Sequence, residues 1–122
     1  MHTNYYFVYG TLKNGHRNHH LLGGSLKVGD FTTKPEYSLL DLGSFPGVVK
    51  NGTTAIHGEI YKVSSQEVEG QIDLLEGYQP HGKNNLYHKE LITIENKPVY
   101  IYILNTSVVD IAKYSEISSG KW

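Results

Sequence analysis

The chain has 122 residues, 10 tyrosines and no cysteine, and its 11 basic residues are set against 12 acidic ones. This length predicts a single domain over residues 1–122 that buries one hydrophobic core. The formal net charge of −1 gives no electrostatic case for binding nucleic acid. Without cysteine, a disulfide, a thiolate nucleophile and a cysteine-based metal site are all excluded.

The sequence carries no sign of export or membrane insertion. Its first residues, Met1-His2-Thr3-Asn4, lack the basic region and the apolar stretch of a secretory signal. No segment approaches the ~20 apolar residues that a membrane-spanning helix needs. We therefore expect a cytoplasmic protein that does not enter a membrane.

The first half of the chain predicts strands joined by turns that are rich in glycine and proline. A buried strand is predicted for the aromatic and β-branched run from Tyr5 to Tyr9, which Gly10 ends. A loop is expected over 10–15, and a short helix over 16–22 that Gly23-Gly24 closes. Strands are expected over 25–33, 36–42 and 57–63, with a turn-rich loop over 43–47.

The second half predicts one helix followed by a hairpin. Ser64 is a candidate helix N-cap, and Glu67 three residues later completes a capping-box pattern. Apolar residues follow at helical spacing, and Gly77 is placed to end the helix. After a loop over 77–86, strands are expected over 87–94 and 98–104 with a turn at 95–97. The whole pattern predicts an α+β domain.

The loop that follows the first strand has the glycine spacing of a phosphate-binding loop. Gly10-Thr11-Leu12-Lys13-Asn14-Gly15 is followed by His16-Arg17, however, where a nucleotide site needs Lys-Ser or Lys-Thr. Consecutive backbone N–H groups in such a loop can still bind an anion or a carbonyl oxygen. An ordinary turn at the end of a strand is the alternative.

Two other patterns give weaker evidence of chemistry. His16, His19 and His20 would share one face of a helix, but a metal site needs a further ligand that the sequence does not indicate. A solvated, histidine-rich surface is the favoured interpretation, and no metal site is predicted. Gly43-Ser44-Phe45-Pro46-Gly47 has its glycines at the wrong positions for a serine nucleophile elbow, so a serine hydrolase is not supported.

Glu76 is the candidate general acid/base. It follows the buried positions of the predicted helix directly, and a carboxylate there lies at the unfavourable negative end of the helix dipole. That placement, together with partial burial, should raise the pKa of Glu76 and make it a better proton acceptor near neutral pH. The alternative is an exposed glutamate on a frayed last turn.

Five motifs occur in order between residues 5 and 104, and together they resemble one family. They are Tyr9-Gly10-Thr11-Leu12-Lys13, Phe45-Pro46-Gly47-Val48, Gly58-Glu59-Ile60-Tyr61, Ile72-Asp73-x-x-Glu76-Gly77 and Tyr87-x-Lys89. This set is similar to the γ-glutamyl cyclotransferase superfamily, in particular its small γ-glutamylamine cyclotransferase/AIG2-like branch. Lys89 stands where relatives often have arginine, and lysine cannot reproduce a bidentate contact.

The resemblance implies a compact mixed β-barrel with short flanking helices, and a cofactor-independent enzyme. The implied reaction releases 5-oxoproline and a free amine from a γ-glutamyl amine or small γ-glutamyl peptide, with Glu76 as acid/base. Backbone amides of Gly10, Thr11 and Leu12 would hold the γ-glutamyl group or stabilise an oxyanion. Tyr9 and Tyr87 are expected as pocket walls, or alternatively as core residues.

Two other functions stay open from the sequence. The first is a non-catalytic module of the same fold that binds a small metabolite. The second is an amide hydrolase in which Glu76 activates water.

Overall fold

The computed structural model describes residues 3–79, 82 and 84–122. Eight strands and one α-helix are present in these ranges. They are β1 Tyr5–Val8, β2 Leu26–Thr32, β3 Tyr37–Asp41, β4 Pro46–Lys50, β5 His57–Lys62, α1 Gln66–Leu75, β6 Tyr87–Ile94, β7 Lys97–Leu104 and β8 Ser115–Glu116, with short 3₁₀ turns at His19–Leu22 and Ile111–Lys113.

The strands form one mixed sheet that curls into a half-barrel. Its order is β2-β5-β1-β7-β4-β3-β8, and β6 pairs with β7 outside this path. Strand β7 is therefore the centre of the sheet, since it runs parallel to β1 and β4 and antiparallel to β6. The fold prediction, an α+β structure with a compact mixed β-barrel and short flanking helices, is confirmed: the barrel is a curled half-barrel, and one short α-helix flanks it in the described ranges.

Both faces of the central strands are buried, which explains the continuous apolar run at the start of the chain. Along β1, Tyr6 and Val8 belong to one core cluster, while Phe7 and the following Tyr9 belong to a second cluster on the opposite face. Successive side chains of a strand point to opposite faces. The first cluster includes Ile72 of helix α1, so the helix covers that face of the sheet.

Most strand predictions are confirmed to within one or two residues, but two strands were missed. The Pro46-Gly47 pair suggested a turn, whereas Pro46 begins β4, a position that needs no N–H donor. Gly47 fits there because a Cβ would come within 3.1 Å of Leu104. Strand β8 has only two residues, too few to leave a periodic pattern in the sequence.

The predictions for the two helices need correction. The N-cap of α1 is Ser65, whose extended backbone lets its side chain accept a hydrogen bond from the N–H of Val68. Glu67 is then one position too early for the capping box predicted from Ser64. The helix expected over 16–22 is only the 3₁₀ turn His19–Leu22.

The hairpin between β6 and β7 turns through two residues, not the three that were predicted. Glu95 and Asn96 both have positive φ, 48° and 66°, as a tight type I′ hairpin turn requires. Lys97 is already the first residue of β7. In the part of the chain that the structure describes, no helix has both the length and the hydrophobicity to cross a membrane.

Candidate active site

A cavity of about 260 Å³ opens where β1 ends, between the sheet and the C-terminal end of α1. All six residues that were predicted for the site line this cavity: Tyr9, Gly10, Thr11, Leu12, Glu76 and Tyr87. Phe45, Pro46 and Tyr102 complete much of the wall. The structure therefore brings together residues that are up to 78 positions apart, counted from Tyr9 to Tyr87.

The loop after β1 lines this cavity with Gly10, Thr11 and Leu12. It turns through a hydrogen bond from the Lys13 N–H to the Gly10 carbonyl, 3.1 Å long. Asn18 holds Thr11 twice, by donating from its backbone N–H to the Thr11 carbonyl and from its amide to the Thr11 hydroxyl, both at 2.9 Å. Among the described residues, the N–H groups of Thr11 and Leu12 have no hydrogen-bond acceptor.

Gly10 allows the close approach between this loop and strand β4. A Cβ at position 10 would lie 2.8 Å and 2.9 Å from two ring carbons of Pro46, closer than real Cβ contacts. The absence of a side chain therefore lets the loop and Pro46 form adjacent parts of one cavity wall.

Glu76 is the C-cap of α1, and its N–H continues the helical pattern by donating to the Ile72 carbonyl. Gly77, with φ of 65°, then turns the chain away in the left-handed conformation that glycine favours. No group within residues 3–79, 82 and 84–122 pairs with the Glu76 carboxyl by hydrogen bond or ion pair. Glu76 is partly exposed, and the cavity that it lines gives it this access.

The pKa of Glu76 is raised to about 7, first by burial and second by the negative charge of Asp73. The direction agrees with the expectation from the sequence. The sequence pointed to the helix dipole together with burial, and burial is the larger cause here. A carboxyl group with this pKa exchanges protons readily at neutral pH.

Tyr9 and Tyr87 line the cavity and also make core hydrogen bonds. The Tyr9 hydroxyl donates to the Tyr102 carbonyl at 2.8 Å and accepts a bond from the Val48 N–H. The Tyr87 hydroxyl donates to the Pro46 carbonyl. Burial, and after it nearby acidic groups, raise the pKa of both hydroxyls. The two interpretations offered by the sequence, pocket wall and satisfied core residue, therefore hold together.

Beside the cavity lies a polar cluster that the sequence analysis did not identify: Tyr6, Glu69, Asp73, Lys89 and Tyr102. The Lys89 ammonium donates to both Asp73 carboxylate oxygens at 3.1 Å and to the Tyr6 hydroxyl at 3.0 Å. Tyr6 donates to Glu69, and Tyr102 donates to Asp73. The available signal was the alternation of tyrosines along β7, which places Tyr100 and Tyr102 on one face.

Arg17 was also missed, because a single charge in a glycine-rich loop carries no spacing signal. Among the residues that the structure describes, it is the only cation that lines the cavity. Its guanidinium donates to the Ser44 carbonyl at 2.7 Å, so it joins two loops at the cavity wall. No carboxylate in the described ranges forms an ion pair with it.

Comparison with known proteins identifies the family. The family model described as "Gamma-glutamyl cyclotransferase, AIG2-like" matches residues 6–122. The chain belongs to this family.

Relatives in this γ-glutamyl cyclotransferase family match over nearly their whole length. A Vibrio cholerae protein named "Putative gamma-glutamylcyclotransferase" is 39% identical over 116 residues, which cover 95% of this chain and 92% of that protein. The "Gamma-glutamylcyclotransferase family protein YtfP" of Escherichia coli K12 is 30% identical over 117 residues, covering 95% of this chain and 93% of that one.

Solved structures of the family have the same fold. The solution structure of ytfP from Escherichia coli superposes with a TM-score of 0.72 at 28% identity, covering 97% of this chain and 95% of that chain. A crystal structure of an AIG2-like protein from Mus musculus gives a TM-score of 0.73 at 21% identity, covering 100% and 89%. The second similarity is evidence for the fold alone.

The three histidines after the loop do not share one helical face. His19 places its Nδ1 2.9 Å from the Leu12 carbonyl, and His20 places its Nδ1 3.1 Å from the Arg17 carbonyl. His16 precedes the 3₁₀ turn, so the shared helical face that the sequence suggested does not form. Over the described part of the chain, no group of three or more metal-ligating side chains is close enough to hold an ion.

Proposed function

We propose that this protein is a cofactor-independent γ-glutamyl cyclotransferase. Its reaction would convert a γ-glutamyl amine or a small γ-glutamyl peptide into 5-oxoproline and a free amine. The observation that supports this most is that Glu76 lines the same cavity as Thr11 and Leu12, and that its carboxyl and their N–H groups have no partner among the described residues. Proton transfer and oxyanion stabilisation need these two kinds of group side by side.

The substrate supplies its own nucleophile in this mechanism, so a protein serine or cysteine is not required. Glu76 accepts a proton from the α-ammonium group, and the freed amine attacks the γ-carbonyl carbon to close a five-membered ring. The amide N–H groups of Thr11 and Leu12 donate to the oxyanion that develops on the carbonyl oxygen. Glu76 then passes its proton to the departing nitrogen as the C–N bond breaks. The ring nitrogen gives up its second proton through Glu76 to the released amine, which leaves as its ammonium ion.

Two properties of the cavity suit this chemistry. Ring closure is intramolecular, so a wall that holds the glutamyl chain folded removes much of the entropic barrier. Tyr9 and Tyr87 already use their hydroxyls within the protein, which leaves their rings to pack on the aliphatic part of the substrate. A volume of about 260 Å³ is small beside the pockets that bind drug-sized ligands and suits a small metabolite.

The test is to incubate the protein with a panel of γ-glutamyl amines and γ-glutamyl dipeptides and to measure 5-oxoproline release. Glu76→Gln should lower kcat by about 10²–10⁴-fold, the usual contribution of a general acid/base, with the far-UV circular dichroism spectrum retained. Glu67→Gln is the matched control, since Glu67 is an exposed acid on the first turn of the same helix. Turnover that survives unchanged in Glu76→Gln would remove Glu76 from the mechanism.

The same panel separates catalysis from a binding module. If no donor is turned over, titration calorimetry with 5-oxoproline and with a γ-glutamyl amide measures whether the cavity holds either compound. Binding without turnover would identify a non-catalytic module of the same fold. Release of free glutamate in place of 5-oxoproline would identify an amide hydrolase in which Glu76 activates water.

A further inference from the structure

Asp73 lies one helical turn before Glu76 on α1 and is held from the side of the sheet. Its two carboxylate oxygens each accept a hydrogen bond from Lys89 of β6 at 3.1 Å, and one of them accepts a further bond from the Tyr102 hydroxyl of β7. The Lys89 and Asp73 side chains are only 15% and 16% exposed. An ion pair this sheltered is screened little by solvent, so its geometry fixes the helix end against the sheet.

The polar cluster is joined to the cavity through Tyr102. This residue donates its hydroxyl to Asp73, accepts the Tyr9 hydroxyl at its carbonyl 2.8 Å away, and itself lines the cavity. Lys89 is further enclosed by aromatic rings, with its ammonium 4.9 Å from the ring centre of Tyr100 and 5.3 Å from that of Tyr6. The ion pair is therefore linked to the cavity wall through Tyr102.

We propose that Asp73 and Lys89 are positioning residues for Glu76. The ion pair anchors the last turn of α1 so that Glu76 opens onto the cavity, and Asp73 keeps a negative charge beside the Glu76 carboxyl. This inference deepens the proposed function and rests on it, because it explains how the acid/base group acquires a proton affinity suited to both proton transfers.

Asp73 is the acidic residue nearest to Glu76 in the sequence. Its negative charge raises the pKa of Glu76, as burial does to a larger extent. Among the described residues, the other titratable or charged groups that line the cavity are Tyr9 after β1, Arg17 of the loop, Tyr87 of β6 and Tyr102 of β7. The three tyrosines stay neutral at physiological pH because burial raises the pKa of each hydroxyl. Neutralising Asp73 is therefore the substitution that changes the charge around Glu76 most directly.

The inference predicts shifts of opposite sign for the two partners. Asp73→Asn keeps the shape of the side chain but removes the negative charge, so the titration midpoint of Glu76 should fall by ~1 pH unit. Lys89→Met leaves the Asp73 charge uncompensated, so the midpoint should rise. Lys89→Arg keeps the positive charge and should restore the wild-type midpoint. Loosening of the helix alone would not give shifts of opposite sign.

The experiment is an NMR titration of the full chain labelled with carboxyl-¹³C glutamate, with the Glu76 resonance assigned by its absence in Glu76→Gln. The pH profile of kcat/KM for 5-oxoproline release is measured in parallel. Its acidic limb should move with the NMR midpoint in each variant. Lys50→Met is the matched control, because Lys50 pairs with Glu90 on the surface at 3.0 Å and should leave the Glu76 midpoint unchanged.

A Glu76 midpoint that is the same in Asp73→Asn and in the wild type would overturn the inference, as would shifts of the same sign in Asp73→Asn and Lys89→Met. If Asp73→Asn does not fold, the upward shift in Lys89→Met and its reversal in Lys89→Arg decide the question. Absence of turnover in the wild type would count against the proposed function alone. The NMR midpoints would still measure the coupling between Asp73 and Glu76.

Discussion

Asp73 and Glu76 lie one turn apart at the end of the same helix, but their carboxyl groups differ in hydrogen bonding. In the polar cluster, Asp73 accepts three hydrogen bonds, two from Lys89 and one from Tyr102. In the cavity, Glu76 has no partner among the described residues. Glu76 is partly exposed to the cavity, so its carboxyl is open to water or to a bound molecule, whereas the Asp73 carboxylate is paired within the protein.

The backbone of the loop that lines the cavity also combines paired and unpaired groups, as the Asp73 and Glu76 side chains do. The N–H groups of Thr11 and Leu12 lack an acceptor in the described ranges, while the carbonyl and hydroxyl of Thr11 are both held by Asn18. Thr11 is therefore held through its oxygen atoms, while the N–H groups of Thr11 and Leu12 stay available. In the described ranges, paired groups hold the cavity wall together, and the unpaired groups belong to residues that line the cavity.

The largest effect on stability should come from breaking the paired region. Lys89→Ala leaves the Asp73 carboxylate without its cation in a sheltered site, which should lower the free energy of unfolding by about 3 kcal/mol. Lys50→Ala breaks the exposed pair with Glu90 and should change it by less than about 1 kcal/mol. Urea unfolding at pH 7 measures both. Equal losses in the two variants would show that the polar cluster is no stronger than a surface pair.

Glu76 should reduce the stability of the protein at neutral and alkaline pH. Its folded pKa of about 7 lies above the ordinary value of 4.5, so the folded chain keeps a proton that the unfolded chain loses between these values. Stability therefore falls as pH rises through this window. Glu76→Gln removes this dependence, and should be more stable than the wild type by up to about 3 kcal/mol at pH 8.

The same variant should match the wild type at pH 4, where Glu76 is protonated in both the folded and the unfolded chain. Thermal unfolding at pH 4, 6 and 8 measures how the difference in stability between the two proteins grows with pH. The control Glu67→Gln lies on the exposed first turn of α1 and should not stabilise the protein progressively with pH. A constant difference between Glu76→Gln and the wild type at all three values would contradict an elevated pKa of Glu76.

The sequence predicted the cavity better than it predicted the polar cluster. The cavity residues lie in contiguous motifs or at element ends, so Glu76 and the loop 10–12 could be found from local patterns, and their meeting in one cavity followed from the family resemblance. The polar cluster joins Tyr6, Asp73, Lys89 and Tyr102, which belong to four different elements. Only the order of the strands, with β7 central, brings them together.

The fold errors have a similar origin. Pro46-Gly47 has the local chemistry of a turn, but pairing with β3 and β7 makes it the start of a strand. Ser64 and Ser65 are both good helix caps, and only the backbone conformation distinguishes them. Ser64 is used otherwise, since its N–H donates to the Ser25 hydroxyl at 3.1 Å. Tertiary contacts override local preference in each case.

Removing one tyrosine hydroxyl from each region compares their contributions to stability. Tyr102 donates to the ionised Asp73 carboxylate, whereas Tyr87 donates to the neutral Pro46 carbonyl. Hydrogen bonds to charged groups contribute more, so Tyr102→Phe should cost about 2 kcal/mol and Tyr87→Phe about 1 kcal/mol. Urea unfolding of both variants gives the order. A larger loss in Tyr87→Phe would reverse the assignment of the cluster as the stronger structural element.

The smallest expected change is a stabilising one, and it tests whether helix α1 acts on the site only through its last turn. Gly70 is exposed in the helix interior, and a Cβ there would meet nothing within 4 Å. Gly70→Ala should therefore raise the free energy of unfolding by up to about 1 kcal/mol, with kcat/KM for 5-oxoproline release unchanged.

Gly77→Ala is the contrasting variant, because Gly77 follows Glu76 directly and has φ of +65°, with Leu86 3.3 Å from an added Cβ. It should lose about 1 kcal/mol and also lower kcat/KM, since the strain falls on the residue next to Glu76, the proposed acid/base. If Gly70→Ala lowers kcat/KM as much as Gly77→Ala, the site depends on flexibility along the whole helix. If only Gly77→Ala does so, the anchored last turn is what positions Glu76.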